Sequence, residues 1–210
     1  MRHETVLIFF ILLLAAHSAF AAEAKTEVDP AVQALADKQW TRTMHEGEKP
    51  GVIRPELSAL ASDRMKRVLP GWSVYRAHVF NPMAVIAGRP TFIYALALKD
   101  GKPTYLEDDA SAAQFLTEQK IKPGDPGEAL NLVLVFAELR GYVLQMPSRT
   151  QDADEWRLVM EENKDGWIVQ CTFVTDPNIS RCRRYAITVG RDGAVSVVAG
   201  KVVQIGGGYR

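Results

Sequence analysis

Two cysteines are the first residues in this chain whose spacing suggests chemistry. Cys171 and Cys182 begin and end the stretch CTFVTDPNISRC, and no other cysteine occurs. The spacing excludes a CxxC redox pair. Paired thiols in an oxidising compartment are ordinarily bridged, whereas cytosolic pairs more often hold metal or work in redox. A hairpin centred between Asp176 and Pro177 would set Cys171 directly opposite Cys182. Opposed residues lie about 4.5 to 5.5 Å apart at Cα, within reach of a disulfide. The expectation is a Cys171–Cys182 staple contributing roughly 3 kcal/mol.

Acid–base chemistry has one candidate centre. The stretch GWSVYRAHVF places Trp72, Val74, Arg76, His78 and Phe80 on one face of a strand. A histidine beside an arginine and aromatic rings suits an anionic or polar ligand, or a general base in a concave sheet. The plainer alternative is a half-buried strand histidine with a satisfied hydrogen bond. Trp167 and Arg183 in the second half of the chain join Trp72, Arg76 and His78 as candidate binding residues. Arg183 and Arg184 fall on opposite strand faces, so with Arg181 they do not form one flat anion site.

Other chemistries lack their residues. Beyond the leader the histidines are His45 and His78, in no HExxH or paired-ligand spacing, and no metal site or cofactor is expected. The acidic clusters Glu107-Asp108-Asp109 and Asp152-Asp154-Glu155 lack the alternating oxygens and central glycine of a calcium loop. There is no GxSxG elbow and no SxxK. Gly206-Gly207-Gly208 has no following helix to present amides to a phosphate. Lysine plus arginine equals aspartate plus glutamate, 25 each, which argues against nucleic acid and against a polybasic membrane-surface role.

The elements that must position these residues begin with a leader. Arg2, the apolar run Val6 to Ala16 and the small-x-small pattern Ala19-Phe20-Ala21 read as a signal peptide over residues 1–21. The run is too short to span a bilayer, which needs about twenty residues. The mature chain is therefore expected to be exported, periplasmic or extracellular, and not integral to the membrane. Residues 22–54 read as loosely ordered, with one helix from Pro30 to about Thr43 before HEGEKPGVIRP. Pro55 to Leu69 then reads as a helix, with Leu57, Leu60, Met65 and Leu69 towards one side.

Beyond Leu69 the chain repeats itself. GWSVYRAHVF with TFIYALALKDGKPTYL is matched by GWIVQCTFVTD with CRRYAITVGRDGAVSVV. Trp72 aligns with Trp167, Val74 with Val169, Tyr94-Ala95 with Tyr185-Ala186, and the hairpin signal Asp100-Gly101 with Asp192-Gly193. Between the halves lie a short helix capped by Asp109, ending near Gln119, and a stronger one from Pro126 to Arg140. The second has Asp125 as cap and Glu128 reaching back. It is apolar nearly all round and therefore buried. Tyr142 to Met146 and Trp156 to Glu162 read as further strands. The sum is α+β, with halves at 55–122 and 123–210 in which antiparallel sheet packs on helix.

A helix, a Gly-Trp-x-Val strand and a Tyr strand turning at Asp-Gly are carried by Gly166, Trp167, Val169, Tyr185, Ile187, Val189, Asp192, Gly193 and Val195. This pattern resembles PepSY-like and cystatin-like small α+β modules. The resemblance implies a curved antiparallel sheet around a helix and an exported protein of inhibitory or binding character. The Gln-x-Val-x-Gly loop of cystatin inhibitors has no counterpart, so the resemblance does not extend to protease inhibition. The reading that results is an exported, non-enzymatic interaction module whose partner is an unidentified protein or small molecule. The alternative is a small-molecule or hydrolase- or isomerase-type pocket built around His78. A structural envelope component would have to self-assemble, and the sequence shows no repetitive apolar surface pattern.

Overall fold

Antiparallel pairing of sequence neighbours generates almost the whole architecture. The computed structural model describes residues 28–43, 55–80, 90–145, 156–176 and 181–204. Residues 1–27, which include the expected leader, 44–54, 81–89, 146–155, 177–180 and 205–210 lie outside them. Helix α1 (Pro30–Thr43) precedes β1 (Glu56–Leu60), α2 (Asp63–Val68), β2 (Ser73–Phe80), β3 (Pro90–Lys99) and β4 (Lys102–Leu106). Helices α3 (Asp109–Glu118) and α4 (Pro126–Arg140) come next, and then β5 (Val143–Leu144), β6 (Val159–Asn163), β7 (Gly166–Asp176), β8 (Arg181–Gly190) and β9 (Val195–Gln204). The fold is α+β, with a four-stranded sheet ordered β1-β2-β3-β4 and a five-stranded sheet ordered β5-β7-β8-β9, β6 sharing the β7 edge. No helix among the described residues is long and apolar enough to cross a membrane.

The layers are set by which face of each strand is apolar. Val74, Ala95, Ala97 and Leu106 of the first sheet share one core with α3, α4 and the inner face of the second sheet, where Trp167, Val169, Phe173, Tyr185 and Ile187 lie. The opposite face of the first sheet, with Ala77, Tyr94 and Leu96, is covered by Val32 and Leu35 of α1. Helix α4 is buried almost all round because it lies between the two sheets. Its ends are as the sequence implies. Asp125 accepts from the Glu128 amide, Glu128 accepts from the Gly124 amide, and Gly141 closes the helix at φ 67°. The predicted division at 122/123 falls in the connection between α3 and α4, two helices that share this single core.

Three expectations are corrected. Residues 56–60 are strand β1, paired along β2 from Glu56↔His78 to Leu60↔Val74. Leu57 packs in the outer cluster and Leu60 in the inner one, so these leucines face opposite ways and do not share a helix face. Helix begins only after Ser62, whose hydroxyl accepts from the Met65 amide. Asp108, not Asp109, caps α3, in a reciprocal capping box with Ser111.

The third correction is the staple. Cys171 and Cys182 are free thiols, both buried. Cys171 lies opposite Tyr185 and Cys182 opposite Val174, so the register is displaced by three residues from one centred on Asp176-Pro177. An odd displacement sends the two side chains to opposite faces of the sheet. Cys171 belongs to the main core, and Cys182 packs outside with Trp156 and Val174.

Candidate functional site

Of the residues nominated from sequence, Trp72 directly precedes β2, Arg76 and His78 lie on the first sheet, and Trp167 and Arg183 lie on the second, where Trp167 Nε1 and Arg183 Nε are buried without a hydrogen-bond partner among the described residues. Arg76 of β2 donates from Nε and Nη2 to the Glu138 carbonyl, at 3.0 and 2.9 Å. That carbonyl belongs to the last turn of α4, so the guanidinium complements the negative end of the helix. Glu138 itself takes Arg64 at 2.6 Å and the Ser62 hydroxyl at 2.6 Å, which straps α2 to α4. His78 lies half-buried on the same strand, its Nε2 3.2 Å from the Ser58 hydroxyl. Trp72 donates its indole N–H to Gln119 and packs edge-on against Phe115. Trp167 is buried on β7 with the Arg191 guanidinium 4.6 Å above its ring. Arg183 lies opposite Phe173 on β8.

A denser constellation has no single motif in the sequence. Asp109, the first residue of α3, accepts from Arg140 Nε at 2.9 Å and from the Tyr142 hydroxyl at 2.8 Å through Oδ1. Its Oδ2 accepts from the Tyr185 hydroxyl at 3.2 Å. The carboxylate stands at the positive end of α3, and Arg140 is the last residue of α4, so both charges suit their helix ends. Behind them Tyr142, Phe173 and Tyr185 pack with ring centroids 5.5 to 5.9 Å apart. Burial raises the pKa of both tyrosines above the ordinary phenol value, so neither is a base near neutrality. With both carboxylate oxygens taken, the group functions chemically as a clamp joining α3, α4 and the second sheet. The one local signal in the sequence is an arginine in the last helical turn just before Gly141-Tyr142.

Cations and carboxylates meet again at the far end of the second sheet. An open cleft of about 550 Å³ lies between the turns at Lys164-Asp165 and Arg191-Asp192, with Thr188 and Ser196 on its wall. Arg191 is engaged by Glu162 at 2.5 Å, and the Arg191 amide donates to the Asp165 carbonyl. Among the described residues no three His, Cys, Asp or Glu side chains come close enough to hold a metal ion.

The two sheets differ most in what covers their outer sides. The outer face of the first is roofed by α1, with Tyr94 and Tyr105 donating to the carbonyls of Ala36 and Leu35. The outer face of the second carries Ile168, Gln170, Ala186 and Val198, and at one end of it Trp156 covers Val174 and Cys182. Val198 and Val202, both on β9, are the large apolar side chains left exposed among the described residues, at 65% and 45%. Fold and site together define an α+β protein of two antiparallel sheets clamped about a helix pair, of which α4 is buried almost all round. No protein-family model, curated protein or solved structure matches the chain.

Proposed function

We propose that the chain is an exported, non-enzymatic interaction module whose working surface is the β9 side of its second sheet. The observation that carries this reading is the exposure of Val198 on an edge strand that no described strand pairs from the outside. Apolar side chains at an unpaired edge mark a place for association. Supporting it from the other direction, the polar side chains that converge do so on one another. Asp109 takes Arg140 and two tyrosines, and Arg76 takes the end of α4. The leader Val6 to Ala16 with Ala19-Phe20-Ala21 supplies the route of export.

The test is a photo-reactive residue introduced at Val198 in cells that make the protein, with the same residue at Ala110 of α3 as control. A discrete crosslinked species at position 198 and none at 110 is expected. Equal labelling at both positions overturns the reading. So does a turnover assay in which His78→Ala abolishes an activity that Val198→Lys retains. Export is checked on the same sample, where the purified chain should begin at Ala22.

A further inference from the structure

We infer that the occupant of this edge is a second copy of the chain, and that two β9 strands pair antiparallel about a twofold axis at Val198 to join the two sheets into one. The inference rests on the interaction-module reading and names its partner.

The backbone phase of β9 fixes which groups are free. The Val195 amide donates to Thr117 Oγ1 at 2.9 Å, and the Val195 carbonyl accepts from that hydroxyl at 3.3 Å. Val195 therefore turns its backbone groups away from β8. One residue earlier the phase is opposite, since Ala194 O accepts from the Gly190 amide. By the alternation of antiparallel ladders, Val197 and Ala199 also direct N–H and C=O outward. At the other end Arg183 pairs with Val202 and Tyr185 with Ala199, which leaves Gly200 and Lys201 as a bulge opposite Arg184. The regular free edge is thus Ser196 to Ala199, bounded by the Thr117 cap and the bulge, and its two outward-facing residues, Val197 and Ala199, are centred on Val198.

That segment is complementary to itself. With the axis at Val198, Val197 of each copy meets Ala199 of the other. These are the residues whose backbone groups face outward, so two hydrogen-bonded pairs form with Val198 against Val198 between them. Lys201 is the one charge on VSVVAGKVVQ. In this register the two lysines fall six residues apart, about 20 Å, beyond the screening length of about 8 Å at physiological salt. A formal net charge of zero adds no long-range repulsion between copies. The other described edges are blunted. β1, β4 and β6 have five residues each, with Glu56 on the first, Lys102 and Pro103 on the second, and Glu161 and Glu162 on the third, and β5 has only two.

Sedimentation velocity on the chain, expressed from its full-length sequence, over about 1 to 200 µM reads the association directly. The mass should move from one chain to two across that range. Ala199→Pro removes an outward N–H without touching the β8 ladder, and Val198→Lys sets two ammonium groups on the axis. Both should remain monomeric at concentrations at least about tenfold higher, with unchanged circular dichroism. Opposed non-hydrogen-bonded residues lie about 4.5 Å apart at Cα, so Val198→Cys should form an intermolecular disulfide under mild oxidation. Ser196→Cys, displaced from the axis, should not. A wild-type chain that stays monomeric, a dimer that survives both substitutions, or no Val198→Cys crosslink overturns the second-copy inference. If the chain is monomeric while the photo-reactive residue at Val198 captures a different protein, the inference falls and the interaction-module reading stands.

Discussion

Cys171 and Cys182 stand on the two faces of one sheet, Cys171 opposite Tyr185 in the core and Cys182 opposite Val174 outside it. No rotamer brings their sulfurs together, because three residues of strand separate the partners and successive side chains alternate. The chain should therefore carry two titratable thiols without prior reduction. Alkylation in denaturant followed by mass measurement should add two adducts per chain. Burial pushes the Cys171 thiol up to about 12 and raises that of Cys182 as well, so the native protein should react far more slowly at pH 8. An unalkylated chain two hydrogens lighter would mean that the hairpin register in solution differs from this one.

The cysteine register marks the boundary of what local residue patterns can specify. The turn residues Asp176, Pro177 and Asn178 announce a hairpin, and β7 and β8 pair as one. Which residues face each other depends on where each strand ends, and that is decided by the bulge near Thr175 and by packing of Phe173 and Tyr185 on α4. Helix α4 is legible to its caps because Asp125, Pro126 and Gly141 act locally. Strand β1 is not, because ELSAL becomes strand only through pairing with β2, which returns to it across α2, and its own five residues do not announce that partner. The Asp109 cluster is invisible for the same reason, since it gathers residues from three separate stretches of chain.

Removing that cluster's acceptor tests the clamp. Asp109→Ala leaves Arg140 and two tyrosine hydroxyls without their shared partner at side chains that are 26% exposed for Asp109 and 11% for Arg140. A loss of about 2 to 4 kcal/mol in urea unfolding is expected, against about 1 kcal/mol for Tyr185→Phe, which removes one donor. A loss below about 0.5 kcal/mol for Asp109→Ala would show that the carboxylate fastens nothing.

The neighbouring Asp108 should give α3 a weak dependence on acid. The Ser111 amide, hydrogen-bonded to its carboxylate, holds that carboxyl below the ordinary aspartate range. A lowered folded value contributes stability that is complete above the unfolded pKa, about 3.9, and fades as pH falls through the folded one. Asp108→Ala should cost about 1 kcal/mol at neutral pH. Asp108→Asn keeps an acceptor and loses the titration, so its deficit against wild type should shrink towards about pH 3 in parallel urea curves. A deficit that is constant with pH would assign the stability to some other group.

Two glycines that look equivalent in sequence should differ in tolerance. Gly101 (φ +73°) and Gly193 (φ +91°) both come directly after an aspartate in a hairpin turn. Gly101 sits in a tight two-residue turn between Lys99 and Lys102, and an added Cβ there meets nothing within 4 Å. Gly101→Ala should cost only the left-handed backbone strain, about 1 to 2 kcal/mol. At Gly193 a Cβ would come within 2.5 Å of the Ile121 carbonyl oxygen, in the connection between α3 and α4. The strain is then joined by a clash with backbone that cannot swing aside, and Gly193→Ala should lose about 3 kcal/mol or more. Thermal unfolding of the two variants side by side measures the difference. Equal losses would mean that the β8–β9 turn does not lean on the helix connection, and would restore the equivalence that the repeated Asp-Gly pattern suggests.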